Sequence, residues 1–179
     1  MVYVFLADGF EIVEAMAPID MLTRAKASVT TVGIDKKVIT SSCGVPVTCD
    51  ITSEEFEFKD VEAIILPGGM PGTINLENSE FVQAVINEAY ENSVLICAIC
   101  AAPSILGHRG LLEGKNAISY PGFEDALEGA IISDKYVVTD GDFITAKGAG
   151  VAVDFGLEIV KELLGEDAAE TVRSAIQCK

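Results

Sequence analysis

Short apolar runs alternate along this chain with stretches in which apolar residues recur at helical spacing. Residues 2–7 form an apolar run, and residues 12–26 continue with a helical pattern. Further apolar runs cover residues 29–33, 61–66 and 94–99, and helical spacing recurs over residues 79–91 and 151–164. Uninterrupted apolar strands are typical of a parallel sheet that crossover helices cover on both faces. The pattern predicts an α/β sandwich.

Three segments add detail to this alternation. Residues 38–51 contain short extended pieces around Gly44 and Pro46, which indicates a small antiparallel ribbon. Residues 136–139 and 143–145 flank Asp140-Gly141, a strong signal for a two-residue hairpin. Gly165 is a plausible cap after the helix at 151–164, and residues 166–176 form a last amphipathic segment. No repeat or linker interrupts the pattern, so we expect one domain over residues 1–179.

The predicted topology also indicates where a site should lie. Ligands of open α/β sheets bind beyond the carboxyl ends of the strands. Four loops are expected at that edge, covering residues 8–11, 67–72, 100–102 and 147–150. We therefore expect the functional residues among them.

Composition narrows the class of protein. No apolar run approaches the roughly 18 residues of a membrane span, and the first residues lack the basic region of a signal peptide, so we expect a cytoplasmic protein without a membrane partner. The formal net charge of −16 disfavours nucleic acid as a partner, because it repels phosphate backbones. Five cysteines, an odd number without a secretion signal, favour reduced thiols.

Cys100 is the leading candidate for chemistry. It ends the apolar run in VLICAICAAP, and Pro103 fits the first positions of a helix that follows. A thiol at such a strand-to-helix turn resembles a nucleophile elbow, in which the N–H of Ala101 would lie beside a developing oxyanion. The free N–H groups and the helix dipole would favour the thiolate. The alternative is a small buried hydrophobic residue, as free cysteines often are.

Two glycine-rich segments could contact a ligand. The segment PGGMPG, with Gly68 and Gly69, follows an apolar strand and could supply a second oxyanion donor; a simple tight turn is the alternative. The segment KGAG at residues 147–150 lacks the third glycine of a dinucleotide motif, because Val153 occupies that position. We therefore expect no nucleotide cofactor.

Glu14 lies within the apolar stretch IVEAMAPI, where an ionised carboxylate is unfavourable unless it is paired. If Glu14 meets Cys100, both cannot be anionic, since two charges about 4 Å apart at an effective dielectric constant of 20 repel by roughly 4 kcal/mol. We predict a protonated Glu14 that donates a hydrogen bond to the Cys100 thiolate. A glutamate on the helix surface is the alternative.

Other reactive side chains fit known sites poorly. His108, the only histidine, lies eight residues beyond Cys100, about two turns along a helix, which disfavours a Cys-His protease. Cys97 and Cys100 form C-x-x-C, but Cys97 is expected within the strand and on its opposite face, which disfavours a redox pair. No second paired motif supports zinc, so we expect no metal.

Five segments together resemble the ThiJ/PfpI superfamily, closest to its DJ-1 branch: DGFEIVEAMAPIDML, ILPGGMPG, AICAAPSIL, YPGFE and AKGAGVAVDFGLEIV. The resemblance implies a flavodoxin-like three-layer sandwich with a mostly parallel sheet, usually as a homodimer. It implies that Cys100 stands at the elbow and Glu14 is its carboxyl partner, with the Gly69 and Ala101 N–H groups at the thiol. It also implies that Arg24 approaches the site of a partner subunit.

The resemblance further implies a choice of activities. One is a glutathione-independent glyoxalase or deglycase, acting on methylglyoxal or on glyoxal adducts through a Cys100 hemithioacetal, without a cofactor. The other is a non-catalytic oxidative-stress sensor or chaperone dimer that uses oxidation of Cys100. Two positions depart from relatives: Ala101 stands where protease-like members have histidine, and Tyr120 stands where animal members have a pocket histidine. Both departures disfavour a mechanism that needs imidazole.

Overall fold

Seven strands form the central sheet in a computed structural model that describes residues 1–178. In chain order they are β1 (Val2–Leu6), β2 (Val29–Gly33), β5 (Ile51–Thr52), β6 (Ala63–Leu66), β7 (Leu95–Ile99), β10 (Val137–Asp140) and β11 (Phe143–Ala146). Across the sheet the order is β10-β11-β7-β6-β1-β2-β5. All neighbours are parallel except β10 and β11, which form the predicted antiparallel hairpin.

Two small sheets lie outside the central one. Strands β3 (Val38–Thr40) and β4 (Pro46–Thr48) pair antiparallel, which confirms the predicted ribbon. Strands β8 (Asn116–Ala117) and β9 (Ile131–Ile132) pair parallel and were not predicted, because each has only two residues. Such short strands leave no periodic pattern in the sequence.

The described residues also form six α-helices: α1 (Ile12–Arg24), α2 (Gly72–Glu77), α3 (Glu80–Glu91), α4 (Pro103–Gly107), α5 (Ala152–Leu164) and α6 (Glu166–Ala175). Ser79 caps α3 as predicted, accepting a hydrogen bond from the Val82 N–H at 3.4 Å. Gly165, at a φ of 92°, follows the last residue of α5. In the described part of the chain, no helix is both long and apolar enough to cross a membrane.

The sheet separates two buried cores. On one face, strand residues such as Ile65 and Ile99 pack against α1, α5 and α6; on the other, residues such as Ile64 and Ala98 pack against α3 and α4. Period-two alternation along each strand sends neighbouring side chains to opposite cores. This arrangement confirms the predicted flavodoxin-like three-layer sandwich.

The strand order fixes the position of the site. Strands β2 and β5 lie on one side of β1 in the sheet. Strands β6, β7 and β11, which come later in the chain, lie on its other side. The loops that follow β1 and β6 therefore diverge at the boundary between these two sides, which is where open α/β sheets bind ligands. The turn after β7 lies directly beside this boundary.

Candidate functional site

Cys100 follows β7 in a strained backbone conformation. Its φ is 67°, a left-handed value that non-glycine residues adopt at a strain of about 1–3 kcal/mol. The Cys100 N–H donates to the carbonyl of Ala146 at 2.9 Å, and the Cys100 carbonyl accepts from the N–H of Tyr120 at 2.8 Å. These two bonds hold the turn, which presents a partly buried thiol at the carboxyl edge of the sheet.

Glu14 lies in the first turn of α1, and its residue is only 1% exposed. The side chain of Glu11 caps this helix, because its Oε2 accepts the Glu14 N–H at 2.8 Å. The Glu14 carboxyl in turn accepts hydrogen bonds from the N–H groups of Gly68, at 3.0 Å, and Ala149. It is also hydrogen bonded to the thiol of Cys100. The structure thus brings Glu14 and Cys100 together.

Gly68 and Gly69 allow the close approach of the three loops. A Cβ at Gly68 would lie 2.6 Å from Glu14 Oε2 and 2.7 Å from Cys100 Cβ, so a side chain there would separate the pair. Gly69 has a φ of +94°, and a Cβ there would lie 2.3 Å from the Glu11 nitrogen. Both positions therefore require glycine.

Some backbone N–H groups of the surrounding loops bond the Cys100 sulfur, and others bond the Glu14 carboxyl. Those of Gly69 and Ala101 bond the Cys100 sulfur, which is where oxyanion donors are expected. The N–H of Gly68, which we expected to face substrate, instead bonds the Glu14 carboxyl. Gly68 therefore positions Glu14.

The pKa of Glu14 is raised to about 7. Burial is the main cause, because it disfavours the charged carboxylate, and the charge of Glu11 adds to it. Hydrogen bonds from Cys100, Gly68 and Ala149 oppose the rise. A carboxyl group with this pKa can both accept and release a proton at neutral pH.

The pKa of Cys100 is also raised, to about 12, by burial and by the neighbouring Glu14 carboxylate. The bonds from Ala101 and Gly69 lower it by less. This direction contradicts the expected thiolate. Helix α4 has only five residues and begins three positions after Cys100, so its dipole is too weak to offset burial. At neutral pH the pair holds one proton on sulfur, beside an ionisable Glu14.

A cleft of about 390 Å³ opens beside this pair. Its lining comprises Tyr120, Pro121, Tyr136, Lys147, Gly148, Ala149, Gly150 and Val151. Tyr120 is 51% exposed on the cleft wall. Gly148 lies between this wall and the thiol, because a Cβ there would be 3.3 Å from the Tyr120 ring and 3.9 Å from Cys100 Sγ. The wall of the cleft at Gly148 is therefore close to the sulfur.

Other candidate residues lie away from the pair. Arg24 ends α1, ten residues beyond Glu14, and its Nε donates to Asp20 at 2.8 Å. The predicted role of Arg24 at a partner's site stays a prediction. His108 follows α4 and its Nδ1 lies 2.5 Å from Glu77 Oε1.

Cys97 is fully buried in β7. It borders the same core as Cys100 rather than the opposite one, because Cys100 lies beyond the strand in a turn with positive φ. Within residues 1–178, no group of three or more His, Cys, Asp or Glu side chains is placed to hold a metal ion.

Two residues that act on Glu14 were not singled out from the sequence. Glu11 caps α1 and raises the pKa of Glu14, and Ala149 donates its N–H to the Glu14 carboxyl. An acidic residue three positions before Glu14, at the start of a helix, was a signal for the first. The loop at residues 147–150 was expected at this edge, but the contact of Ala149 with the Glu14 carboxyl depends on how that loop folds over α1, which no local pattern encodes.

Comparisons with known proteins identify the family of this chain. The pattern of the DJ-1/PfpI family matches residues 1–162. Protein DJ-1alpha of Drosophila melanogaster is 36% identical over 177 residues, which cover 97% of this chain and 82% of that protein. Protein DJ-1 homolog A of Arabidopsis thaliana is 33% identical over 96% of this chain, but the chain spans only 45% of that relative.

A solved structure supports the same assignment. The structure of oxidized DJ-1 from Toxoplasma gondii superimposes with a TM-score of 0.94 at 30% identity and covers 98% of this chain and 97% of that one. Family pattern, sequence identity and fold all extend over the elements that carry Glu14, Gly69 and Cys100. The chain therefore belongs to the DJ-1/PfpI family.

Proposed function

We propose that this protein is a cysteine-dependent enzyme of the glutathione-independent glyoxalase or deglycase type. Its substrates would be small α-oxoaldehydes such as methylglyoxal, or glyoxal adducts, and its product a 2-hydroxy acid. One observation carries the proposal: a buried carboxyl with a pKa of about 7, Glu14, is hydrogen bonded to the thiol of Cys100. Such a pair suits a reaction in which a proton moves repeatedly between substrate and protein.

In the first step, the Cys100 sulfur attacks the aldehyde carbon while the Glu14 carboxylate takes the thiol proton. This base compensates for the raised pKa of Cys100, since no free thiolate has to accumulate. The N–H groups of Gly69 and Ala101 stabilise the oxyanion that forms. Protonated Glu14 then delivers the proton to that oxygen, which gives a hemithioacetal.

In the second step, Glu14 removes the proton from the former aldehyde carbon and the ketone oxygen takes up a proton, which gives an enediol. Glu14 then returns its proton to the former ketone carbon, while the hydroxyl on the former aldehyde carbon loses a proton and becomes the thioester carbonyl. The aldehyde carbon is thereby oxidised and the ketone carbon reduced, so no external oxidant is needed. The product on sulfur is a 2-hydroxyacyl thioester. Water hydrolyses it to the hydroxy acid and restores the Cys100 thiol, for a net addition of one water.

Lactate formation from methylglyoxal tests the proposal. The wild type, Cys100→Ser, Glu14→Gln and Glu14→Asp should be compared after purification without thiol reductants. We expect turnover by the wild type, a loss of at least about 100-fold in Glu14→Gln, and none in Cys100→Ser. No turnover by the wild type, or turnover that survives loss of the thiol, would exclude the enzyme.

A redox sensor is the second candidate. It is favoured by the partial exposure of Cys100 and by the N–H groups at its sulfur, which could hold sulfinate oxygens. The Toxoplasma gondii relative, solved in an oxidized form, adds support by similarity. Peroxide should then add two oxygen atoms to Cys100, detected by peptide mass spectrometry, in a wild type that does not turn over methylglyoxal.

We also propose a homodimer in which Arg24 of each subunit faces its partner. The Arg24 side chain is 48% exposed and is held by Asp20 at the end of α1, which leaves it accessible to a second subunit. Light scattering of the wild type should give twice the mass of one chain. A monomer at micromolar concentration would contradict the proposal.

A further inference from the structure

The cleft beside Cys100 has more space than a three-carbon aldehyde needs. Its volume of about 390 Å³ falls in the range of roughly 300–1,000 Å³ that holds ligands of drug size. We propose that Tyr136 and Lys147 form a subsite in this cleft that binds an aromatic substituent on the α-oxoaldehyde. The inference rests on the proposed function and names the substrate class that the site would prefer.

The position of the cleft supports a role in substrate binding. The backbone of Gly148 lies between the cleft and the thiol, since a Cβ there would be 3.3 Å from the Tyr120 ring and 3.9 Å from Cys100 Sγ. A substituent on a carbon bonded to that sulfur can extend over Gly148. It would then lie between the rings of Tyr120 and Tyr136, which both line the cleft.

The walls of the cleft favour an aromatic group. Tyr120 is 51% exposed and Tyr136 is 61% exposed, although burying such rings is generally favourable. Two exposed tyrosines in one cleft provide faces and edges against which a third ring can pack. An aliphatic substituent would also bury apolar surface in the cleft, but it could not make the stacked or edge-to-face contacts that an aromatic ring makes with the tyrosines.

Lys147 holds the outer ring in place. Its Nζ lies 4.9 Å from the centre of the Tyr136 ring, within the range of a cation–π contact. The Lys147 N–H also donates to the Tyr136 carbonyl at 2.9 Å, which extends the β10–β11 pairing to these residues. Tyr136 is therefore oriented before substrate arrives, and Lys147 acts as its positioning residue.

Charge indicates that the aromatic group is neutral. The pKa of Glu124 is lowered mainly by hydrogen bonds from the backbone N–H groups of Glu124 and Gly122, and to a smaller extent by the charge of Lys147, so the Lys147 charge is already partly balanced. The chain as a whole carries a formal net charge of −16. An anionic substituent would be repelled during approach, which favours an uncharged aryl group such as that of phenylglyoxal.

The ratio of kcat/KM for phenylglyoxal to that for methylglyoxal tests the subsite. In Tyr136→Ala we expect this ratio to fall about tenfold, because only phenylglyoxal loses a contact between two rings. Tyr136→Phe should keep the ratio, because it retains the ring. Tyr90→Ala is the matched control, since Tyr90 is 50% exposed but lies on α3 and does not line the cleft.

Lys147→Met should lower the ratio less than Tyr136→Ala, through a higher KM for phenylglyoxal. The methionine side chain is long enough to cover the Tyr136 ring but lacks the positive charge of lysine. Melting temperatures of all variants identify any that fail to fold. An unchanged ratio in folded Tyr136→Ala overturns the subsite, while the proposed function stands if methylglyoxal is still converted.

Binding of mandelamide, a neutral aromatic analogue of the product, separates the two proposals. We expect it to shift the NMR signals of the Tyr136 ring in the wild type and to bind at least about fivefold more weakly to Tyr136→Ala. Such binding, without turnover of methylglyoxal or phenylglyoxal, would support the aromatic subsite and overturn the proposed enzymatic function. Absence of binding, or equal binding to Tyr136→Ala, overturns the subsite.

Discussion

The carboxyl of Glu14 and the thiol of Cys100 are hydrogen bonded to each other, although α1 and the turn after β7 are far apart in the sequence. The glycine between them permits the contact, since a Cβ at Gly68 would meet both residues within 2.7 Å. Burial raises the pKa of Glu14 to about 7 and that of Cys100 to about 12, so between these pH values the pair carries a single proton.

Glu14→Gln should stabilise the protein at high pH. In the folded state the pKa of Glu14 is about 7, above its ordinary value of 4.5, so the folded protein binds the proton more tightly than the unfolded chain. The stability that this group contributes is complete below pH 4.5 and is lost as the pH rises through 7. The difference corresponds to roughly 3 kcal/mol.

Urea unfolding at pH 4.5 and pH 8 measures this effect. The free energy of unfolding of Glu14→Gln should exceed that of the wild type by up to roughly 3 kcal/mol at pH 8 and by much less at pH 4.5. Glu88→Gln, at an exposed position on α3, is the control and should show no such difference. An equal effect of Glu14→Gln at both pH values would mean that Glu14 is not the titrating group.

Glu11→Gln should lower the pKa of Glu14. The charge of Glu11 contributes to the raised pKa, and removing it relieves that repulsion. The glutamine oxygen can still accept the Glu14 N–H, so the helix cap is kept. Carbon-13 NMR of the Glu14 carboxyl should show a midpoint below that of the wild type.

A suitable comparison is Glu80→Gln, which removes an acidic residue from the first turn of α3 instead. Its Glu14 midpoint should equal that of the wild type. If Glu11→Gln leaves the midpoint in place, the repulsion between Glu11 and Glu14 has no measurable effect on the site.

Gly69→Ala should lower both activity and stability. The φ of +94° strains any side chain at this position, and a Cβ would lie 2.3 Å from the Glu11 nitrogen, so the loop must move. Displacing an oxyanion donor typically lowers kcat by about 100-fold to 1,000-fold. We expect a loss of kcat for methylglyoxal of that order.

Gly44→Ala separates strain from displacement. Gly44 has a similar φ of +85°, but a Cβ there meets nothing within 4 Å. This variant should lose only the strain energy, about 1 kcal/mol, and keep full activity. Equal activities of the two variants would show that the Gly69 N–H does not support the reaction.

His108→Gln should leave lactate formation within about twofold of the wild type. The imidazole pairs with Glu77 at the end of α2 and does not bond Cys100 or Glu14 in the described structure. Because both partners are substantially exposed, the pair should contribute less than about 1 kcal/mol to stability. A loss of activity beyond tenfold, in a variant that melts normally, would place the histidine in the mechanism.

The sequence pattern predicted the elements whose hydrophobic spacing is strong. The bounds of β2 and the cap at Ser79 agree with the structure, and so does the hairpin at Asp140-Gly141. Helix α2 was missed, because it has only six residues and begins at the glycine of a Pro-Gly pair, so it carries no readable period.

The candidate site was predictable in its residues but not in its protonation. Motif and resemblance together indicated Cys100, Glu14 and Gly69. The ionisation of Cys100 depends on the length of α4 and on burial by loops distant in sequence, which no local pattern encodes. The N–H of Ala149 at the Glu14 carboxyl is a tertiary contact of the same kind.

The pH dependence of kcat/KM for lactate formation from methylglyoxal tests the role of the pair most directly. Because Glu14 must be ionised to take the thiol proton, we expect kcat/KM to rise with pH through a midpoint near 7, and we expect Glu14→Gln to lose this rise together with its activity. A profile that is flat or falls through pH 7, or activity that persists in Cys100→Ser, would contradict the proposed chemistry.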